Sequence, residues 1–220
     1  MFRNPYTRKK HIVTSILAVV GLCLLVAGGL GVYDYIHRTQ TGVIVPDAQK
    51  VITTTQDPSE KKPTITNDYT VAANQPRLIQ IPTINVKAYV QKVGITNTGA
   101  MATPNNIYFT GWYTNSVAPG EKGVSIINGH VGGRYNQGIF VDLKSLKPND
   151  DINVQMGDLT WRNFKVVTTE SYTLDATASV LFQDDPKIDR ELHLITCDGV
   201  FDSVSRSYDK RVVVIAKYIS

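Results

Sequence analysis

The chain has 220 residues, 42% of them hydrophobic, which is room for one ordinary domain with attachments. Its 23 Lys plus Arg exceed its 19 Asp plus Glu, but residues 1–40 hold five of those bases and one of those acids. The remainder is balanced at 18 against 18 with no Lys/Arg block, so charge gives no support to a nucleic-acid partner.

The first element in chain order is an uncharged tract from Ile12 to Val32, IVTSILAVVGLCLLVAGGLGV. At about 1.5 Å rise per residue, a helix of this length crosses a hydrocarbon core of roughly 30 Å. Arg3, Arg8, Lys9 and Lys10 precede the tract and Asp34 follows it. The positive-inside rule then puts residues 1–11 in the cytoplasm, a single-pass anchor at 12–33, and the rest of the chain outside the cell. A cleaved signal peptide is the rival reading, with Ala27-Gly28-Gly29 as a small-residue site. The tract is longer than the usual apolar region of about 7–15 residues, which favours the anchor. Cys23 lies inside the tract behind Val20-Gly21-Leu22, a poor lipidation context.

Residues 34–75 are rich in Thr, Gln, Pro and Asn and show little apolar periodicity, so they read as a flexible, solvated spacer. The texture changes at Pro76. RLIQIP alternates apolar and polar residues, and NVKAYVQKVGI, GVSIINGH, DINVQM, TWRNFKVVTT, LHLITC and RVVVIAKYI are further β-rich runs. Turn signals separate them at Pro119-Gly120, Pro148-Asn149-Asp150 and Asp184-Asp185-Pro186. Helical periodicity is weak, confined to GIFVDLKSL and TASVLF. The pattern predicts one mainly β domain over 76–220, a closed barrel or a sandwich.

Cys197 is the one cysteine beyond the apolar tract. A disulfide to Cys23 would have to join membrane to outer domain, so Cys197 is expected to be a free thiol outside the cell, which invites a reactive role. In a strand over Glu191–Cys197, Leu192, Leu194 and Thr196 share one face, and His193, Ile195 and Cys197 the other. His193 lies roughly 13 Å from Cys197 along such a strand and reads as a structural or surface histidine. His11 and His37 flank the apolar tract. His130, between the apolar strand SIING and Gly132-Gly133, stands where a strand meets a glycine-rich rim, and is the candidate acid/base partner for a thiol nucleophile.

Arg211 opens the strand RVVVIA, 14 residues after Cys197. If the two strands are antiparallel neighbours, their backbones lie about 5 Å apart and the guanidinium can reach the thiol. There it would lower the thiol pKa, donate to a developing oxyanion or hold substrate backbone; a solvated strand-start charge is the plain alternative. Arg206 is the alternative arginine. Asp198 reads as a turn residue more readily than as a loop-orienting one. Trp112 and Tyr113 read as core or rim aromatics. The scattered acids Asp142, Asp150, Asp151 and Asp158 lack calcium-loop spacing.

LITCDG followed by YDKRVVVIA resembles the TLxTC…R signature of sortases, with NGH supplying the family's histidine. RLIQIPTINVKAYVQKVG, GAMATPNNIYFTGWY and APGEKGVSIINGH extend the resemblance upstream, most closely to actinobacterial-type class F sortases. The resemblance covers about 76–220. It implies an eight-stranded β-barrel with short helices and a cysteine transpeptidase, membrane-anchored in a Gram-positive-type envelope. Cys197 would be the nucleophile, His130 the acid/base and Arg211 the substrate and oxyanion group. Class F relatives often read YxDNVVV where this chain reads YDKRVVV, which weakens the assignment of Arg211.

The substrate implied is a sorting signal such as LPxTG, cleaved between Thr and Gly through a thioester. The acyl group would pass to an amine of a peptidoglycan precursor or a pilin lysine. No metal or organic cofactor is chemically required. Thr196 matches the family's TC pair, and Leu174, Val180, Leu181 and Phe182 in the segment 170–190 are expected to form a wall that grips the substrate. Two other classes stay open: a different extracellular cysteine peptidase, and a non-catalytic β domain that binds a partner. An L,D-transpeptidase lacks its SxGC(x)R signature here, and a papain-like enzyme its CGSCW motif.

Overall fold

The computed structural model describes residues 58–203 and 207–220. The apolar tract, the VIV and VIT runs and Arg206 lie outside them. No helix among the described residues is long and apolar enough to cross a membrane.

Eight strands close into a barrel: β1 (Pro76–Ile81), β2 (Val86–Val93), β3 (Thr110–Tyr113), β4 (Gly123–Gly129), β5 (Asp151–Met156), β6 (Trp161–Thr173), β7 (Arg190–Asp202) and β8 (Ser207–Tyr218). Around the barrel the order is β1-β2-β3-β4-β7-β8-β6-β5, with β5 returning to β1. Closure gives every strand a partner on both sides. Two neighbouring pairs are parallel, β2 with β3 and β4 with β7; the others are antiparallel.

Alternation along the strands fills the interior. Ile79 and Ile81 of β1, Ala88 and Val90 of β2, Leu192 and Leu194 of β7 and Val212 and Val214 of β8 join Phe140 and Phe164 in one buried cluster. Of the two weak helical signals, TASVLF belongs to the helix α1 (Leu174–Phe182), while GIFVDLKSL yields only a 3-10 turn over Leu143–Ser145. Helix α1 packs outside the barrel: Leu181 meets Ile126, Ile195 and Val213 in a second cluster.

At its described end, residues 58–75, the segment expected as a flexible, solvated spacer is mostly exposed but hydrogen-bonded to the barrel at several points. Thr66 N–H donates to the Tyr89 hydroxyl (2.6 Å) and the Tyr69 hydroxyl donates to the Val90 carbonyl (2.8 Å). Buried Arg77 donates to the carbonyls of Tyr69 (2.6 Å) and Thr66 (2.8 Å) and to Gln155 Oε1 (2.8 Å). At the other end of the strap, Gly157 N–H reaches the Gln75 carbonyl (2.8 Å). These backbone groups are satisfied by the barrel.

Candidate active site

Cys197 lies on the outer face of β7 directly opposite Arg211 of β8. The parallel pairing of β4 with β7 runs from Gly123↔Arg190 to Asn128↔Ile195. The Thr196 hydroxyl, donating to the Gly129 carbonyl at 2.8 Å, carries the two chains on in the same register. One residue further on each chain stand His130 and Cys197. A parallel neighbour on one side and an antiparallel neighbour on the other therefore bring an imidazole, a thiol and a guanidinium to one end of the barrel.

The backbone around His130 is held closely. Its carbonyl accepts from Phe140 N–H at 2.9 Å. A Cβ on Gly138 would run into that carbonyl, and a Cβ on Gly129 would strike the Phe140 ring, so both positions need glycine for close approach. On the ring, Nε2 lies 2.9 Å from the Pro104 carbonyl oxygen. A carbonyl only accepts, so Nε2 carries the proton of the neutral ring and Nδ1 is left with its lone pair.

Burial dominates the electrostatics. It pushes the His130 pKa down from 6.5, partly opposed by the Pro104 hydrogen bond, which favours the protonated ring. It pushes the Cys197 thiol up from 9.0, partly opposed by the positive charge of Arg211. The resting pair is therefore thiol and neutral imidazole. The thiolate–imidazolium form is a minor, more reactive tautomer of the same protonation state.

The Arg211 guanidinium is tied to the first residues of its own strand, β8. Nη1 donates to the carbonyls of Tyr208 (2.9 Å) and Lys210 (2.7 Å), and Nη2 to Ser207 Oγ (3.1 Å). Arg206, the alternative arginine, lies outside the described residues.

The other predicted site residues separate. Thr196 is buried on the inner face, its hydroxyl donating to the Gly129 carbonyl, which leaves its backbone as the part of the residue that can face a substrate. Leu181, on the barrel-facing side of α1, is buried against Ile126, Ile195 and Val213. Val180 is partly buried beside it. Leu174 and Phe182 are exposed, and Phe182 meets Tyr113 edge to face with centroids 6.0 Å apart. Trp112 belongs to the core, its indole N–H on the Val117 carbonyl at 3.1 Å.

His193 is fully buried between the Leu181 carbonyl (2.9 Å) and Glu191 Oε2 (3.0 Å), far from a proton-transfer position. Asp198, expected as a turn residue, lies on β7 opposite Lys210 and joins β6 and the 3-10 turn: Ser171 Oγ donates to it at 2.6 Å and Lys144 Nζ at 3.0 Å. Those two donors hold its carboxyl below the usual value. The sequence reading missed Pro104 altogether. ATPNN carries a turn signal but nothing that marks one carbonyl as an imidazole partner.

A closed barrel with a half-buried thiol between a histidine and an arginine defines a candidate cysteine-nucleophile site. A family model described as the sortase domain matches residues 79–219. The chain belongs to the sortase family. No curated protein matches it. Among solved structures it is similar to sortase A from Corynebacterium diphtheriae, at 22% identity and TM-score 0.50, over 65% of this chain and 60% of that one. The chain thus spans less than two thirds of that sortase A. It is also similar to the pilus-related sortase C of Group B Streptococcus, at 17% identity and TM-score 0.51, over 84% of this chain and 97% of that one. At these identities the likeness concerns the fold. The class F resemblance rests on the sequence motifs alone.

Proposed function

We propose that the protein is a membrane-anchored cysteine transpeptidase that cleaves an LPxTG-like sorting signal between Thr and Gly and transfers the acyl group to an amine. The observation that carries this reading is the cross-strand pairing of Cys197 with Arg211, with His130 on the neighbouring parallel strand in continuing register. In the reaction, Cys197 sulfur attacks the Thr carbonyl and its proton passes to His130. Arg211 favours the thiolate and the developing oxyanion. The protonated His130 gives its proton to the departing Gly amine, leaving a thioester. An incoming amine then loses a proton to His130 as it displaces the sulfur. That amine belongs to a peptidoglycan precursor or a pilin lysine, and the N-terminal anchor holds the enzyme on the outer side of a Gram-positive-type membrane.

Leu174, Val180 and Phe182 lie along α1 beside the outer-face cluster below Cys197, which supports a role in gripping the apolar part of the signal. The test is transpeptidation by the full chain with LPxTG-type peptides and amine acceptors. A covalent acyl-enzyme should be trapped, and it should be absent in Cys197→Ala. A second reading, a non-catalytic binding domain with an inert thiol, is favoured by the burial that raises the Cys197 pKa. Iodoacetamide separates the two, because an inert thiol stays unlabelled in the folded protein.

A further inference from the structure

Pro104, whose carbonyl meets His130, belongs to a connection between β2 and β3 with no regular structure. Its carbonyl and the N–H of Asn105 are opposite ends of one planar peptide unit. That N–H donates to Gln91 Oε1 (3.2 Å), while Gln91 Nε2 donates back to Asn105 Oδ1 (2.7 Å). Gln91 lies on β2, paired with Gly111 of β3, so the clamp is mounted on the barrel wall. An unbroken line therefore runs from Gln91 Oε1 through the Asn105 N–H and the Pro104 carbonyl to His130 Nε2.

We propose that Gln91 and Asn105 are positioning residues for His130: they fix the 104–105 peptide plane so that Nε2 stays the protonated nitrogen and Nδ1 is kept for proton transfer. The proton-transfer part rests on the function proposed above; the tautomer part does not. Neither residue needs to touch the reacting atoms.

The rest of the connection isolates this plane as the decisive element. Before it, Ala102 is held by its N–H on the Gly94 carbonyl (2.9 Å) and by Asn128 Nδ2 on its own carbonyl (2.7 Å). After it, Ile107 is held by Glu60 Oε1 on its N–H (2.7 Å) and by Ile139 N–H on its carbonyl (3.0 Å). With both flanks fixed, the tilt of the middle peptide is left to Gln91. Hydrogen bonds that share one peptide unit also polarise each other, so an acceptor on the Asn105 N–H makes the Pro104 carbonyl a better acceptor for His130. The consequence points the same way as the electrostatics, since the Pro104 bond favours the protonated ring against burial. A histidine that must hold a proton before passing it to an amine needs that support.

The experiment uses the full chain labelled with 15N-histidine and compares Gln91→Met with Gln91→Glu. Methionine has similar length but makes neither bond. Glutamate keeps the acceptor for the Asn105 N–H, and the Asn105 amide can turn its own Nδ2 toward it. In the wild type the ring-nitrogen shifts of His130, measured without substrate, should report the Nε2–H tautomer. Gln91→Met should lose that dominance and lower kcat about tenfold at nearly unchanged KM. Gln91→Glu should restore both the tautomer and kcat to within about twofold of wild type. The proposal is overturned if Gln91→Met keeps the tautomer and kcat, or if both variants lose activity in step with a falling Tm. Should the wild type never acylate, the transpeptidase reading fails, while the ring-nitrogen shifts still decide the positioning claim.

Discussion

Two histidines stand near the β4–β7 junction, and their surroundings differ. His193, in the middle of β7, is sealed from solvent with both ring nitrogens engaged, one by a carbonyl and one by a buried carboxylate. Glu191, its partner, also accepts the Asp185 N–H at 2.7 Å, so the pair staples the end of the α1 connection onto the barrel. His130, where β4 ends, has Nε2 engaged by Pro104 and makes no other ring hydrogen bond among the described residues. Saturation builds a structural histidine. One occupied nitrogen and one spare nitrogen are what the proton carrier proposed above requires.

Substitutions should divide cleanly along this line. The largest effect belongs to the sulfur itself: Cys197→Ala should remove acyl-enzyme formation, read as the missing covalent adduct, with turnover down by at least about 10⁴. His130→Ala should lower kcat by about 10²–10⁴ while leaving Tm near wild type. His193→Ala should do the reverse. It strands the buried Glu191 carboxylate and should cost about 2–4 kcal/mol in denaturant unfolding, with kcat of the folded fraction close to normal. If His193→Ala instead lost turnover at full stability, the two histidines would have been assigned the wrong way round.

Smaller effects sharpen the picture. Arg211→Ala should lower kcat/KM by about 10²–10³, the cost of an oxyanion donor, and by much more than Arg206→Ala. The opposite order would move the role to Arg206. The pH profile follows from the two shifts. His130 stays neutral to below 6.5 and Cys197 stays a thiol to above 9.0, so the singly protonated pair persists throughout that interval. Acylation rate against pH should form a broad plateau with its acid limb below 6.5 and its alkaline limb above 9.0. Weakening the Arg211 charge should move the alkaline limb further up. The smallest expected change is Phe182→Ala, which should raise KM several-fold with kcat retained, because its ring is exposed and meets only the edge of the outer cluster.

Much of this was legible along the chain, for local reasons. Period-two alternation gave the β7 faces: Leu192 and Leu194 lie inside, Ile195 and Cys197 outside, as the sequence order requires. The sequence left open whether the strands carrying Cys197 and Arg211 are antiparallel neighbours. They are: β7 runs on to Asp202 and β8 starts at Ser207 where a long loop was expected, and the register places the two residues opposite each other. The helical piece TASVLF carried a weak signal and became a helix of nine residues because Leu181 found a buried seat on Ile126, Ile195 and Val213.

Other features had no local signature. The polar composition of residues 58–75 resembles a free spacer, and partners outside it, among them the Arg77 and Tyr89 side chains, the Val90 carbonyl and the Gly157 N–H, turn it into a strap on the barrel. Thr196 beside Cys197 looked functional by adjacency, yet the same alternation that puts Cys197 on the outer face turns Thr196 inward. Its hydroxyl then meets a carbonyl 67 residues away in sequence.

The sequence by itself determined the β pattern, the cysteine without a disulfide partner and the short list of groups that can act with it. Those follow from side-chain periodicity and residue chemistry, which are local. Tertiary structure decided which strand flanks β7 on the parallel side, which nitrogen of His130 keeps its proton and how far burial separates the pKa values of thiol and imidazole. Each of those depends on contacts between distant segments, Pro104 with His130 and Gln91 with Asn105 among them, and burial and hydrogen-bond partners exist only once the barrel has closed.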